Sequence, residues 1–286
     1  MKQYVIIITL ISALLGGSSC KEWLKVDSED RIMEDALFQS ESGFFTALNG
    51  VYVHLLNTNL YGRTLTAGTF DILAQYYDTT KPLNSHTYRS LANFELQAKK
   101  DAVADTWKEA YFLIANINTI LEHCENDRSV LSESNYELIK GECLALRAML
   151  HFEMFRIFGP IYSYEPGKVC IPYSDDTEKN VKPLLSAIDV VDKILTDLNQ
   201  AENLLLNVDP VITKGPQSSA EGNNRLRYRN LRLNYFAVQA LTARVYLYAG
   251  NTTEAGRYAR KVISGASKFF PFATREQVNG QAATGT

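Results

Sequence analysis

Residues Gly141–Tyr162, GECLALRAMLHFEMFRIFGPIY, constrain the fold of this chain more than any other stretch. Wound at ~3.6 residues per turn, the run to Phe158 places Glu142, Glu153 and Arg156 on one narrow stripe. Arg147 and His151, at i and i+4, fall on roughly the opposite one. Between them lie two apolar faces. One carries Cys143, Leu146, Leu150, Met154 and Ile157, the other Leu144, Ala145, Ala148, Phe152 and Phe155. A surface helix carries one apolar stripe, whereas a helix with two must be covered from both sides. Ala145 and Ala148 are small enough for a neighbouring helix to come close. Gly159 and Pro160 end the helix. The expectation is the middle member of a helical stack, with Phe152 in the core and Glu153 on a solvated stripe.

Other segments supply the company. In residues 40–56, Phe44, Phe45, Leu48, Val51, Tyr52 and Leu55 recur at three- and four-residue steps. Trp107, Tyr111, Ile114, Asn118 and Leu121 form a stripe along Ala102–Cys124. Asn116 and Asn118 are unusual inside a helix and predict hydrogen bonds to backbone. The polar turn Asn126–Ser134 then folds this segment back as an αα-hairpin with the central helix. Ser186 and Asp189 form a capping box ahead of Ile188, Val191, Leu195, Leu198 and Leu205. In Asn230–Gly250 and beyond, Ala243, Tyr246, Gly250, Ala255 and Ala259 carry the spacing of a tetratricopeptide repeat. The tryptophan position of that repeat is Gln239, so the match is partial. The fold class expected is all-α: tetratricopeptide-like helical hairpins joined by long loops.

The start of the chain reads as an export signal. Lys2 precedes the apolar run Tyr4–Leu15, and small residues lead to Cys20. A spanning helix needs ~20 apolar residues, so this run is too short to be one. Residues 1–19 are expected to be a lipoprotein signal peptide and Cys20 the lipidated first residue, although Gly17 stands where a leucine-like residue is commoner. The alternative is an ordinary secreted protein with a stray cysteine. Residues 20–39 read as a polar tether and 40–286 as the helical domain. Cys124, Cys143 and Cys170 remain, an odd number that forbids a complete disulfide framework. Either all three are free thiols or one bridge forms between two of them.

Composition narrows the function. A net charge of −3 offers no basic footprint for nucleic acid. No Gly-x-Ser-x-Gly, HExxH, Walker or Gly-x-Gly-x-x-Gly motif is present. The histidines are far apart, and His151 beside Arg147 reads as a packing residue rather than a base. The acids Asp175, Asp176 and Glu178 lack an EF-hand frame, so no metal and no cofactor are expected. Sixteen tyrosines, many in polar company, leave a recognition surface open. The densest case is the irregular stretch around DTTKPLNSHTYRS, where Tyr76, Tyr77, Asn84 and Tyr88 combine rings that stack on sugars with polar groups that bond hydroxyls. The plainer reading is a connecting loop with half-buried rings.

Four segments together resemble one family. They are FxALNGVY (Phe45, Leu48, Asn49, Gly50, Tyr52), WxxxYxxIxxxN (Trp107, Tyr111, Ile114, Asn118), GExxALRAMLHFEMFRIFG and LNYFAVQALTARVYLYAG, behind a Cys-Lys-Glu after the signal. Their order is similar to that of the SusD/RagB family, from Cys20 to about Phe270. The resemblance implies a tetratricopeptide-scaffolded outer-membrane lipoprotein (a palmitate-type anchor on Cys20), surface-exposed. It implies binding of an oligosaccharide or other nutrient, partnership with a SusC-like TonB-dependent transporter, and no enzymatic activity. Gly159-Pro160-Ile161-Tyr162 departs from the family's Gly-x-Val-Pro-Leu, and Ile171-Pro172-Tyr173 follows, as in a variant subgroup. Family members are usually much longer, so the chain is expected to be an N-terminal part whose C-terminal half is missing. The competing expectation is a tetratricopeptide-like interaction scaffold with no small-molecule ligand.

Overall fold

The computed structural model describes residues 29–79, 88–218 and 224–283. Cys20 and Asn84 lie outside the described residues.

Helix α1 (Glu29–Leu37) occupies the later part of the stretch read as a tether. The buried Phe38 just after it stacks on the His123 ring, with centroids 4.0 Å apart, which holds the end of α1 against the body. Ser40 caps α2 (Glu41–His54), accepting from the Gly43 amide at 3.2 Å. A Cβ on Gly43 would lie 1.5 Å from the Leu37 carbonyl oxygen, so only glycine permits this tight α1–α2 corner. Two short helices follow, α3 (Thr69–Leu73) and α4 (Arg89–Ala92). Then come α5 (Leu96–Asn126) and α6 (Glu133–Phe158), joined by a 3-10 turn at Arg128–Val130.

The chain next forms a two-stranded antiparallel ribbon, β1 (Val169–Pro172) with β2 (Leu184–Ser186). Helix α7 (Ala187–Leu205), the short α8 (Val211–Lys214), α9 (Tyr235–Tyr248), α10 (Thr252–Ala266) and α11 (Arg275–Ala283) complete it. The ribbon is the one sheet among the described residues, so the all-α expectation holds with this addition. No described helix is long and apolar enough to cross a membrane.

Helix α6 is the middle of the stack. It packs on α5 and α2, and on α7 and α9. Both apolar faces are buried except for half-covered Ile157. The phenyl rings of Phe152 and Phe155 meet Tyr248 of α9 edge-on, at 5.6 and 5.7 Å. Apart from exposed Arg156, the polar stripes are buried as well, which the periodicity did not indicate. Glu153, expected in solvent, is 6% exposed. It accepts from Arg156 at 2.6 Å and Arg244 at 3.4 Å, because α9 closes over that stripe.

Val169, at the start of an edge strand, is 58% exposed, and of its neighbourhood only Ile171 and Tyr173 are buried. One more assignment is corrected. Ile188 is 41% exposed, and the buried face of α7 runs instead through Val190, Val191, Ile194, Asp197, Leu198, Ala201 and Leu205. Ser186 does cap α7, accepting from the Asp189 amide at 3.2 Å. Gly250 makes the α9–α10 turn with φ +82°, in the left-handed region that favours glycine. Asn251 then caps α10. Gln239, at the repeat's tryptophan position, is buried and donates to Glu202 at 2.8 Å.

Candidate functional site

The polar stripes of α6 each close a buried ionic cluster. Arg147 donates to both oxygens of Asp197, through Nε at 2.7 Å and Nη2 at 2.8 Å. Its Nη1 donates to Asn118 Oδ1 at 2.9 Å and to the Asp175 carbonyl at 3.1 Å. Tyr173 donates to Asp197 at 2.6 Å. The Asn118 amide donates to the carbonyls of Ser174 and Asp176, at 3.1 and 2.9 Å. The expected backbone bonding of Asn118 is thus present, and it holds the loop after β1. Asn116 bonds the Phe112 carbonyl in its own helix, at 3.0 Å.

His151 belongs to the same cluster. Its Nε2 accepts from the Ser174 amide at 3.0 Å, which leaves Nδ1 as the donor to the Arg147 carbonyl at 2.9 Å. Burial pushes its pKa down to about 3, so the ring is neutral. Both nitrogens are committed to backbone. A general base needs a free lone pair within reach of substrate, and His151 offers none.

On the opposite stripe, Glu142 accepts from Tyr52 at 2.6 Å and from buried Arg229. Arg229 donates to both oxygens of Asp209, at 2.9 and 2.8 Å. Asp209 in turn accepts from the amides of Val211 and Tyr235, at 3.0 and 2.9 Å. The Leu233 amide donates to the Tyr52 hydroxyl at 3.0 Å. Burial, then Glu142, raises the Tyr52 pKa well above its usual value. This cluster clamps residues 224–234 onto α2 and α6. The shared-motif residues Tyr52, Asn118, Glu142 and Arg147 are therefore joints of the scaffold.

The predicted tyrosine site lies elsewhere. Ile72 of α3 and Leu91 and Ala92 of α4 form a small separate core, with Tyr88 packed against it. Gln75, at φ +63°, donates to the Ala92 carbonyl at 3.0 Å and ties the turn after α3 to α4. That turn presents Tyr76, 78% exposed, and Tyr77, 45% exposed, side by side. Tyr77 donates to the Ala67 carbonyl at 3.4 Å. Tyr76 and Tyr77, consecutive in the chain, are both exposed on this turn, whereas Tyr88 packs against the small core. Asp175 and Asp176 pair with Lys193 and Lys182, and no cluster suited to a metal ion occurs among the described residues.

The SusD-like family model described as "starch-binding associating with outer membrane" matches residues 22–222. The chain belongs to the SusD-like family. SusD-like protein P25 of Formosa agariphila is 25% identical over 225 residues, covering 74% of this chain and 40% of that protein. A SusD superfamily protein of Bacteroides thetaiotaomicron superposes with TM-score 0.65 at 20% identity, over 84% of this chain and 49% of that one. A SusD-like carbohydrate-binding protein of Bacteroides vulgatus gives 0.63 at 22% identity, over 83% and 47%. This SusD-like chain thus spans less than half the length of these relatives. Its family is one of carbohydrate-binding proteins that associate with the outer membrane.

Sequence reasoning missed Asp197, Asp209 and Arg229. An acid inside the apolar stripe Val190, Ile194, Asp197, Ala201 was a usable signal, because a buried carboxylate needs a cation. Arg229 carries no such local signal, since it alternates with Arg225 and Arg227 in a polar loop.

Proposed function

We propose that this SusD-like chain is part of a cell-surface lipoprotein, held to the outer membrane through a lipid on Cys20. It binds a glycan and hands it to a SusC-like TonB-dependent transporter, with no chemistry of its own. Family membership supports the carbohydrate class. The observation that carries the local reading is the Tyr76–Tyr77 pair, two adjacent exposed rings on a turn anchored at both sides. Such rings stack on the C–H face of a sugar, and a clamped turn presents them at low entropic cost.

Calorimetry with maltooligosaccharides, in this chain and in a full-length relative, tests the site. Tyr76→Ala and Tyr77→Ala are each expected to weaken binding by about 1–2 kcal/mol, on the order of tenfold, with unchanged circular dichroism. Unaltered affinity in both variants would remove this turn from the site. A second reading, a tetratricopeptide-like interaction scaffold, draws on one observation. Ala243, Ala255, Gly256 and Ala259 line a shallow groove of ≈ 370 Å³ on the outer face of α9 and α10.

A further inference from the structure

Helices α3 and α4 end in the same way. At α3 the Gln75 amide donates to the Ile72 carbonyl and the Tyr76 amide to the Asp71 carbonyl, both at 3.0 Å. At α4 the Phe94 amide donates to the Leu91 carbonyl and the Glu95 amide to the Ser90 carbonyl, at 3.0 and 2.9 Å. These are Schellman closures, in which the residue after the C-cap takes left-handed backbone and is usually glycine. Here it is Gln75, at φ +63°, and Phe94, at φ +59°. Glycine would adopt either conformation without strain, so a larger residue kept there points to a use for its side chain.

The use of Gln75 is a bond between two elements. Its Nε2 donates to the Ile72 carbonyl at 3.3 Å and to the Ala92 carbonyl at 3.0 Å. Ala92 is the last residue of α4, and a helix end leaves such a carbonyl without a partner inside the helix. Helices of five and four residues are too short to hold themselves. The carboxamide fixes the end of α3 to α4, which in turn packs on α5. Tyr76 and Tyr77 follow Gln75 directly, so this one side chain sets where their rings stand relative to the scaffold. We infer that Gln75 is a positioning residue for glycan binding at the tyrosine turn. The inference rests on the glycan reading of Tyr76 and Tyr77 given above. Both amide hydrogens of Gln75 are committed to backbone carbonyls, so it acts through the two rings, by holding them ready before the sugar arrives.

The test is calorimetry of the full chain with maltotetraose, with a melting curve for every variant. Gln75→Gly relieves the left-handed strain and removes the carboxamide. Gln75→Asn keeps a residue that tolerates left-handed backbone, with its amide one methylene short of the Ala92 carbonyl. Each is expected to weaken binding at least fivefold, while the melting temperature of Gln75→Gly stays level or rises. A residue with only a structural role would lower both together. In a Tyr77→Ala background, Gln75→Gly should cost less than it does in the unsubstituted chain, because the two act on one contact. If the tyrosine variants weaken binding but both Gln75 variants bind like the unsubstituted chain, the positioning role is overturned and the site stands. A melting temperature that falls in step with affinity in Gln75→Gly, or full additivity with Tyr77→Ala, overturns it as well. If neither tyrosine variant changes the affinity, or the unsubstituted chain does not bind maltotetraose, the site itself is overturned and this inference with it.

Discussion

At the scale of single residues, the buried charges around α6 decide what acid and mutation do. His151 has its pKa depressed from 6.5 to about 3 by burial. Above pH 6.5 the ring is neutral in both folded and unfolded chains and adds no pH dependence. As pH falls below 6.5, the unfolded chain takes up a proton that the folded chain refuses. Stability is therefore lost between 6.5 and about 3, with a slope of up to about 1.4 kcal/mol per pH unit. His151→Gln is expected to be less stable at neutral pH but to lose this slope, as chemical denaturation between pH 7 and pH 5 would read. An unchanged slope would mean another group titrates there. Arg229→Met leaves the buried carboxylates of Glu142 and Asp209 without their cation. It should cost about 3–5 kcal/mol, measured by urea unfolding, and release the 224–234 loop to proteolysis.

At the scale of elements, the α6–α7 crossing depends on Gly141. A Cβ there would sit 2.8 Å from Leu205 Cγ and 3.4 Å from Leu204 Cβ, and Leu205 is itself fully buried and cannot swing away. Alanine gains roughly 1 kcal/mol of helix propensity over glycine, against an overpacking cost of about 1–3 kcal/mol. Overpacking is expected to win, so Gly141→Ala should lower the melting temperature. A rise would show that the two helices can separate at little cost. The glycine looked unremarkable as a letter near the start of a helix. Its reason is the far end of the other helix, at Leu204 and Leu205, more than sixty residues away in sequence.

At the scale of the whole molecule, the membrane attachment proposed through Cys20 predicts that Cys20→Ala leaves the signal uncut or the product soluble. Membrane fractionation after a carbonate wash reads the outcome, and persistence of the variant in the membrane fraction would remove the lipid anchor. Cys124, Cys143 and Cys170 are unpaired in the structure. Burial pushes the Cys124 thiol up to about 12, which keeps it from acting as a nucleophile or exchanging.

The sequence by itself determined that α6 lies between two layers, because two apolar stripes on one helix have only one low-energy arrangement. It determined the α9–α10 hairpin, through small residues at fixed spacing and a glycine at the turn. It also carried the family likeness. The tertiary structure alone decided the fate of the polar stripes. Periodicity assigns a charged residue to solvent unless a partner is in view, and the partners of Glu142 and Arg147 are Arg229 and Asp197, 87 and 50 residues away. For the same reason the closure of residues 224–234 over α2 and α6 was not legible: it depends on Arg229 reaching Glu142 and Asp209 and on the Leu233 amide reaching Tyr52. Buried ion pairing is a property of distance in space, and local sequence records only that a charge exists.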